Sequence, residues 1–302
     1  MTSAAFSALT LTAVSDVVVN NDALLTINQA TSINSITVAA GGMVTNTSTF
    51  NTPTLTINSN GTDGTGTYIN TGTSNVTTLT ANQYLGTTRN WYISSPVVST
   101  ASSATNIARY FEYVEAGNNA DLSVTGSSAY WKGYNPPHTM IAGKGYIALP
   151  SASDASVTFS GTMNNGNVSI PLSKSLVGYN LIGNPYPCHL TWTEAFATAN
   201  ASKIYPTIWV RTNSGSSNAN GWSFSTHNAL VGETVPSWAN VVIAPMQAFW
   251  VKAKLAEQTL VLNSDLLKSH QASNPLKAPA APKTDRQRVR LQVSNGTATD
   301  EA

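Results

Sequence analysis

The sequence LTIN at residues 25–28 gives the first indication of the fold class, and it returns unchanged at residues 55–58. In both copies an apolar leucine and isoleucine alternate with threonine and asparagine. Such alternation has the period of two that turns one face of a β-strand toward a core and the other toward water. β-Branched residues, which favour strands, dominate the sequence around both copies. The stretch therefore predicts short strands with one buried face.

The same alternation extends through residues 1–82. Its apolar centres Leu25, Ile36, Val44 and Leu55 lie 8 to 11 residues apart. Short strands at this spacing are typical of two architectures, a β-sandwich and a β-solenoid with small coils. Turn signals are weak, and Asn and Thr recur at strand ends, where they can stack as ladders between coils. We therefore favour a β-solenoid-like repeat region over the sandwich.

A second pattern divides the rest of the chain. NLIGNP, residues 180–185, repeats the layout of NWYISSP, residues 90–96, with an asparagine, an apolar segment and a proline. Each opening is followed, in the same order and about 90 to 103 residues apart, by an irregular polar stretch, an aromatic strand, a Trp-centred strand, another aromatic strand and a closing strand. This order predicts an internal duplication, with a first β-unit at residues 83–173 and a second at 174–266. We expect an all-β chain whose duplicated region is β-sandwich-like.

Two segments depart from this pattern. Residues 191–204 place Trp192 and Phe196 on one helical face behind a threonine that can serve as N-cap, so one helix is predicted in the second unit. Residues 267–302 begin as a linker rich in proline, alanine and lysine and continue as an alternating strand at residues 288–296. We interpret them as a linker and the start of a truncated C-terminal domain.

The composition points to an extracellular β-protein. Of the 302 residues only 10 % are charged, against roughly 25 % in ordinary soluble domains, so Thr, Ser, Asn and Gly must provide solubility. The net charge of +1 gives no steering toward nucleic acid. No run reaches the roughly 18 apolar residues of a transmembrane segment. The N-terminus also lacks the basic segment of an intact signal peptide.

The sequence offers little to an enzyme. Its four histidines include no pair at metal-ligand spacing, so neither a metal nor another cofactor is expected. Cys188 is the single cysteine, and we expect a small half-buried residue rather than a thiol activated by His189. A hydrolase would need carboxylates brought together by the fold, and Glu112 and Glu115, three apart on a strand, face opposite sides. We predict no catalytic residues and no metal site.

Aromatic residues near loops are the candidates for binding. Trp131, Tyr134, Trp222 and Phe224 lie in loop-flanked strands, and Trp238 lies in a polar loop. Exposed aromatic rings can stack on sugars or anchor a protein interface, and core packing is the alternative for each of them. Of these, we predict Trp131, Tyr134, Trp222 and Trp238 as the ligand-binding residues. The remaining tryptophans have apolar neighbours and are predicted in the core: Trp91, Trp192, Trp209 and Trp250.

A set of short motifs runs through the chain from about residue 20 to 302: QYLGTTRNWYISSPV, AGKGYI, FSGTMNNG, GYNLIGNPYP, APMQAFWVKA and RVRLQVSNGTATDEA. Together they resemble secreted and cell-surface proteins of Bacteroidetes that are exported by type IX secretion. The resemblance implies an extracellular or outer-surface location, a β-solenoid-like N-terminal part and a duplicated β-region. It also implies a C-terminal sorting domain, of which only the leading segment is present. It supplies no catalytic residues.

These features favour a non-enzymatic extracellular or cell-surface protein that binds a macromolecular partner, either a host protein or another secreted protein. A carbohydrate-binding adhesin that uses Trp131, Trp222 or Trp238 is the first alternative. A structural surface-layer component and a hydrolase are the other two. Neither nucleic acid nor a cofactor is expected as a ligand, and the sequence sets no oligomeric state.

Overall fold

The computed structural model describes residues 11–86, 88–98, 100–213, 222–235, 242–263, 268–270, 291–294 and 299–301. Strands make up 55 % of the structure, and one short helix is present among these residues. The expectation of an all-β chain is therefore confirmed. No helix in these ranges is long and apolar enough to cross a membrane.

The N-terminal part consists of short strands. They are β1 (Asp16–Val19), β2 (Leu24–Ile27), β3 (Thr31–Ser32), β4 (Ser35–Val38), β5 (Met43–Asn46), β6 (Thr49–Ile57), β7 (Ser59–Asn60), β8 (Gly64–Thr65), β9 (Thr67–Asn70) and β10 (Thr73–Leu85). The longer strands alternate between two sheets as the chain advances. In one sheet β1, β4, β6 and β10 pair in parallel, and in the other β2, β5 and β9 do so. The two LTIN copies therefore lie in different sheets.

The alternation between sheets explains the spacing of the apolar residues. Leu25 and Val44 come from the β2 sheet, Ile36 and Leu55 come from the β1 sheet, and all four are buried in one core. Equivalent positions within a sheet are farther apart. Hydrogen bonds between side chains join residues 19 positions apart early in this region and 24 positions apart later. The spacing of 8 to 11 residues between successive apolar centres is therefore the length of chain that leads from a strand of one sheet to the next strand of the other.

The next part of the chain adds a small antiparallel sheet. Its strands and their neighbours are β11 (Trp91–Ile93), β12 (Thr100–Thr105), β13 (Ile107–Tyr113), β14 (Trp131–Tyr134), β15 (His138–Met140), β16 (Tyr146–Pro150), β17 (Ala155–Gly161) and β18 (Val168–Leu172). Four of them pair in the order β11-β16-β13-β14, and we call this the first sheet. Strand β17 pairs instead with β10 and β12, so it extends the sheet of the N-terminal strands.

A five-stranded antiparallel sheet follows. The elements are β19 (Tyr179–Gly183), β20 (His189–Thr191), α1 (Glu194–Ala199), β21 (Thr207–Asn213), β22 (Trp222–Asn228), β23 (Glu233–Val235), β24 (Val242–Ile243), β25 (Ala248–Lys252), β26 (Gln258–Leu262) and β27 (Lys268–Ser269). Five of the strands pair in the order β19-β25-β21-β22-β23, and we call this the second sheet. Strand β26 pairs with β18 beside it.

Helix α1 is shorter than the predicted segment. It is capped by Thr193, whose hydroxyl accepts a hydrogen bond from the backbone N–H of Phe196 at 3.2 Å. Trp192 and Phe196 are both buried, and their rings lie 4.7 Å apart. The helix ends at Ala199 because Asn200 leaves the helical conformation and its side chain bonds the carbonyl of Phe196. The helix predicted within residues 191–204 is confirmed, with tighter bounds.

The two proline-terminated openings meet in the structure. The Ser94 hydroxyl, in the first opening, donates to the carbonyl of Asn184, in the second, at 2.7 Å. The buried Asn184 side chain bonds the backbone of its own turn, at Tyr186 and Cys188. Gly183 is needed because a Cβ there would lie 2.1 Å from the Ser94 Cβ. These segments are structural joints that hold the edges of the two sheets together.

The C-terminal residues return to the N-terminal sheet. Strands β28 (Leu291–Ser294) and β29 (Thr299–Glu301) form a hairpin, and β28 pairs antiparallel with β1. The strand predicted at residues 288–296 is thus present over its central part, and it extends an existing sheet. Residues 271–290, which carry most of the predicted linker, lie outside the described residues.

Candidate binding site

A small apolar cluster joins the first and second sheets. Its buried members come from three strands of the first sheet and two of the second, and they are Tyr92, Phe111, Ile147, Leu181 and Ala248. Partly buried aromatic side chains pack against this cluster at its margin. The contact between the two sheets therefore excludes solvent at its centre, and partly exposed aromatic rings border it.

Strand alternation explains why these rings point away from the core. In β25, Trp250 and Lys252 are half-buried on one face, while the residues between and before them are fully buried on the other. In β21, Trp209 and Arg211 are placed in the same way. Trp209 and Trp250 are also direct partners across the two strands. The period of two thus puts two indoles and two cations on the outer face of the second sheet.

Five aromatic side chains line an open pocket of about 310 Å³ at this border: Tyr113, Tyr179, Trp209, Phe224 and Trp250. Tyr113 comes from the first sheet and the other four from the second. Tyr113 meets Trp250 edge to face at 4.8 Å between ring centroids, and Tyr179 meets Trp209 at 5.2 Å. Such pairs contribute roughly 0.5–1.5 kcal/mol each beyond area burial and fix the ring orientations. The pocket is therefore preformed.

Further rings support the pocket from behind. Tyr92 lies 6.0 Å from Trp250 and 6.3 Å from Phe224, and Trp131 lies 5.2 Å from Tyr113. Phe224 is the most open member, with 47 % of its surface exposed. Because its ring is backed by Tyr92 but not covered, Phe224 forms the wall of the pocket that a ligand would meet first.

Two cations border the aromatic rings. The Arg211 guanidinium lies 4.9 Å from the centre of the Tyr92 ring, and the Lys252 ammonium lies 5.1 Å from that of Tyr179. Burial lowers the pKa of Arg211, although the adjacent Tyr92 opposes the change, and an arginine retains its charge in proteins. The aromatic rings stabilise both positive charges by cation–π attraction.

The four predicted binding residues occupy different places. Trp131 is half-buried and packs beside the pocket without lining it. Tyr134 is half-buried, donates to the Glu112 carboxylate at 2.9 Å and stacks on His138, and burial with Glu112 raises its pKa. Trp222 begins β22, and its side chain lies outside the described part of the chain. Trp238 lies outside the described residues altogether.

The tryptophans predicted in the core divide into two pairs. Trp91 and Trp192 are buried, which confirms the prediction for these two. The prediction was wrong for Trp209 and Trp250, because their apolar neighbours face the hydrophobic core while the indoles face the pocket. Each of the two indoles stands two residues before a cation, as WVR and WVK, and this alternation marks an outward face. That signal could have found the pocket from the sequence.

Tyr113 and Tyr179 are pocket residues that the sequence reasoning did not single out, and Phe224 was noted in a loop-flanked strand but was not among the four predicted ligand-binding residues. They belong to three strands that are far apart in the chain. Only the antiparallel pairing of the second sheet, and its contact with the first, brings their rings together. No local sequence signal distinguishes them from the other aromatic residues of these strands.

Cys188 is an inert part of the core. Its side chain is fully buried, and burial raises the pKa of its thiol to about 12. Burial, together with the nearby His270, lowers the pKa of His189 to about 3. At neutral pH the thiol therefore stays protonated, and His189 is a neutral imidazole that is too weak a base to deprotonate it. The side chain is more deeply buried than the half-buried residue that we expected.

Acidic side chains near the pocket are engaged in structural contacts. Glu112 accepts a hydrogen bond from Tyr134 and pairs with Lys144. Glu115 accepts backbone N–H groups of the segment that precedes β19. Within the ranges that the structure describes, no group of three or more His, Cys, Asp and Glu residues could hold a metal ion. The chemistry available at the pocket itself is apolar, aromatic and cationic.

Fold and site together define an all-β protein with an open aromatic pocket between two antiparallel sheets. A family model described as a domain of unknown function, DUF8693, matches residues 3–300. The chain belongs to this family. The matched residues include the N-terminal strands and both sheets. Comparison with curated proteins and comparison with solved structures gave no match.

Proposed function

We propose that this is a non-enzymatic extracellular or cell-surface protein that binds a macromolecular partner, a host or secreted protein, through the aromatic pocket. The carrying observation is that five aromatic rings from two sheets line one open pocket of about 310 Å³. This volume is at the lower end of the roughly 300–1,000 Å³ of ligand pockets, so it suits one side chain or ring of a larger partner. Aromatic anchors in such pockets dominate the binding energy of many interfaces.

The surface next to the pocket supports a protein partner. Phe224 is 47 % exposed and Val235, at the edge strand β23, is 55 % exposed. Val235 pairs with Thr226, which lies two residues beyond Phe224 and so on the same face of the sheet. Apolar side chains thus continue from the pocket toward the edge of the second sheet. Contiguous exposed apolar surface is characteristic of interaction sites.

We also propose that the scaffold has the architecture that the sequence predicts, a β-solenoid-like region followed by a duplicated β-sandwich-like region. Parallel pairing between strands that alternate between two sheets supports the first part. The strand orders β11-β16-β13-β14 and β19-β25-β21-β22 support the duplication, because equivalent strands in chain order take equivalent places. In this scheme the pocket forms where the two copies meet.

The proposed location outside the cell rests on two properties of the sequence. Charged residues make up 10 % of the chain, and Thr, Ser, Asn and Gly take their place at the surface. The motifs of both openings and the C-terminal stretch resemble proteins exported by type IX secretion. A binding protein at the outer surface would meet host or secreted proteins directly.

A carbohydrate-binding adhesin is the second candidate function. It is favoured by the presence of two indoles, Trp209 and Trp250, in one pocket with Tyr179, since the flat faces of such rings also stack on sugars. The residues concerned differ from those predicted from the sequence, because the structure brings Trp209 and Trp250 to the pocket and leaves Trp131 beside it.

A peptide-display selection tests the proposed function. The full chain would be the target, and peptides would be selected for saturable binding, with the Phe224→Ala variant used for counter-selection. We expect enriched peptides that bind the wild type at least tenfold more tightly than Phe224→Ala and Trp250→Ala. Phe224 is already half exposed, so its truncation should leave the fold intact. Absence of enrichment, or equal binding to wild type and variants, would contradict the proposal.

A further inference from the structure

Four lysines lie close together at the Tyr179 end of the pocket: Lys174, Lys203, Lys252 and Lys254. The backbone N–H of Lys254 donates to the carbonyl of Lys203 at 2.8 Å, and the Lys174 ammonium donates to the carbonyl of Lys254 at 2.5 Å. The Lys252 ammonium lies over the Tyr179 ring that lines the pocket. We call these four residues the lysine cluster.

None of the four lysines forms an ion pair with a carboxylate among the described residues. The chain as a whole carries 15 basic and 14 acidic residues, so an excess of one sign at one place is not a consequence of composition. Ion pairs in the described part of the chain, Lys132–Asp121 and Lys144–Glu112, belong to the predicted first unit. The buried Glu115 carboxylate is occupied by backbone N–H groups. Glu115 keeps its negative charge, and Glu257 is exposed three residues after Lys254, but four lysines against these two carboxylates still leave a net positive charge beside the pocket.

Aromatic rings continue through the lysine cluster. Tyr205 is 42 % exposed, and its ring centre lies 5.5 Å from the Lys252 ammonium and 5.3 Å from the Lys254 ammonium. Cation–π attraction to this ring offsets part of the repulsion between the two ammonium groups. The arrangement is a row of rings and cations that leads from exposed surface into the pocket.

We propose, resting on the function proposed above, that the partner docks through an acidic protein segment. An apolar or aromatic side chain of this segment would fill the pocket, and flanking aspartates or glutamates would lie on the lysine cluster. A protein segment fits better than an acidic glycan because the lining is aromatic throughout and offers hydroxyl groups few hydrogen-bond partners. Opposite charge at the border would accelerate encounter and select the partner.

Fluorescence anisotropy with a labelled synthetic peptide tests this inference on the full chain. The peptide would carry one phenylalanine between glutamates, and matched peptides would replace either the glutamates by glutamine or the phenylalanine by alanine. We expect each replacement to weaken binding at least tenfold. Raising the ionic strength from about 0.05 M to about 0.5 M should also weaken binding of the acidic peptide, because salt screens exposed charges.

Variants that lack lysine charges test whether the lysine cluster is where the acidic peptide binds. The double variant Lys252→Gln/Lys254→Gln should bind the acidic peptide about tenfold more weakly than the wild type. Lys132→Gln is the matched control, since this lysine faces away from Trp131 on β14, and it should leave binding unchanged. Thermal unfolding would verify that all variants remain folded.

The outcomes separate this inference from the proposed function. In one outcome, peptide binding requires Phe224 and yet is independent of the lysine cluster and of ionic strength. This result would overturn the inference that the partner segment is acidic, but it would support the pocket as a binding site. No binding of the acidic peptide to the wild type would overturn the inference as well. Lysine-dependent binding of an oligogalacturonate, with none of the peptide, would replace the protein segment by an acidic glycan.

Discussion

The Glu115 carboxylate accepts the backbone N–H of Gly178 at 2.7 Å, and this bond joins the region after β13 to the opening of the second sheet. The backbone N–H groups of Ser175 and Leu176 donate to the same carboxylate. Burial alone would raise the pKa of Glu115, but these hydrogen bonds outweigh it and the pKa is lowered. One charge thus organises the loop that connects Lys174, in the lysine cluster, to Tyr179, which lines the pocket.

Replacing Glu115 by glutamine should lower the free energy of unfolding by about 1.5–3 kcal/mol, the usual contribution of hydrogen bonds to a charged group. Urea unfolding followed by tryptophan fluorescence would measure the change. Glu233→Gln, at the exposed start of β23, is the control and should shift stability by no more than about 0.5 kcal/mol. Equal effects of the two substitutions would show that the carboxylate of Glu115 does not hold this loop.

The same contact has a defined pH dependence. Because the pKa of Glu115 is lower in the folded protein than its ordinary value of 4.5, its stabilisation is complete above that value. It is lost as the pH falls through the folded-state pKa. The stability difference between wild type and Glu115→Gln should therefore be constant near neutrality and shrink below about pH 4.5. A difference that grows on acidification would contradict this assignment.

The substitution Gly183→Ala tests how closely the two openings approach each other. A Cβ added there would lie 2.1 Å from the Ser94 Cβ, so Gly183→Ala should destabilise the protein by about 1–3 kcal/mol through overpacking. Gly61→Ala is the control, because its Cβ would meet only the flexible ring of Tyr84, at 3.3 Å. Melting temperatures of the two variants give the comparison, and a wild-type value for Gly183→Ala would rule out the close approach.

Asparagine side chains that bond each other between strands of the N-terminal part should contribute more to the free energy of unfolding where they are buried than where they are exposed. Asn46 is fully buried, and its amide donates to the Asn70 side chain at 2.7 Å and to the carbonyl of Thr73 at 3.0 Å. Asn46→Ala leaves these acceptors unsatisfied and should cost about 2–3 kcal/mol. Asn75→Ala removes a bond of similar length to Asn51 on the exposed face and should cost about 0.5 kcal/mol. Chemical unfolding of both variants measures the difference, and equal losses would contradict a buried ladder.

The alternation of apolar and polar residues was sufficient to predict the all-β chain, the strands around both LTIN copies and the buried faces of Leu25 and Leu55. The pattern is local, because each strand of this region repeats it within a few residues. Trp209 and Trp250 were misplaced because the interpretation used apolar neighbours rather than the face of the strand. Alternation with Arg211 and Lys252 was the better guide.

The lysine cluster and the contact of Glu115 with Gly178 lay beyond what the sequence could predict. Lys174, Lys203 and Lys254 are separated by tens of residues and meet only because β19, β21 and β25 pair in a particular order. Glu115 reaches its loop from a different sheet. Contacts of this kind depend on strand pairing and on how two sheets meet, and neither is set by a local pattern.

Cys188 should be unreactive in the native protein. Burial raises the pKa of its thiol to about 12, so a disulfide-exchange reagent at pH 8 should modify it only after unfolding. The rate at which the reagent reacts with the Cys188 thiol would be measured in buffer and in guanidinium chloride, and we expect reaction only in guanidinium chloride. Rapid modification of the folded protein, by one thiol per chain, would contradict the buried position.

Site-specific photo-crosslinking tests the central claim, that a macromolecular partner binds in the aromatic pocket. Benzoylphenylalanine would replace Phe224 in the pocket or, as a control, the exposed Val14 in the turn before β1. The probe would be the peptide most enriched in the display selection. We predict a crosslinked product from position 224 that unlabelled peptide suppresses, and none from position 14. Equal yields at the two positions, or no product at position 224, would contradict the account.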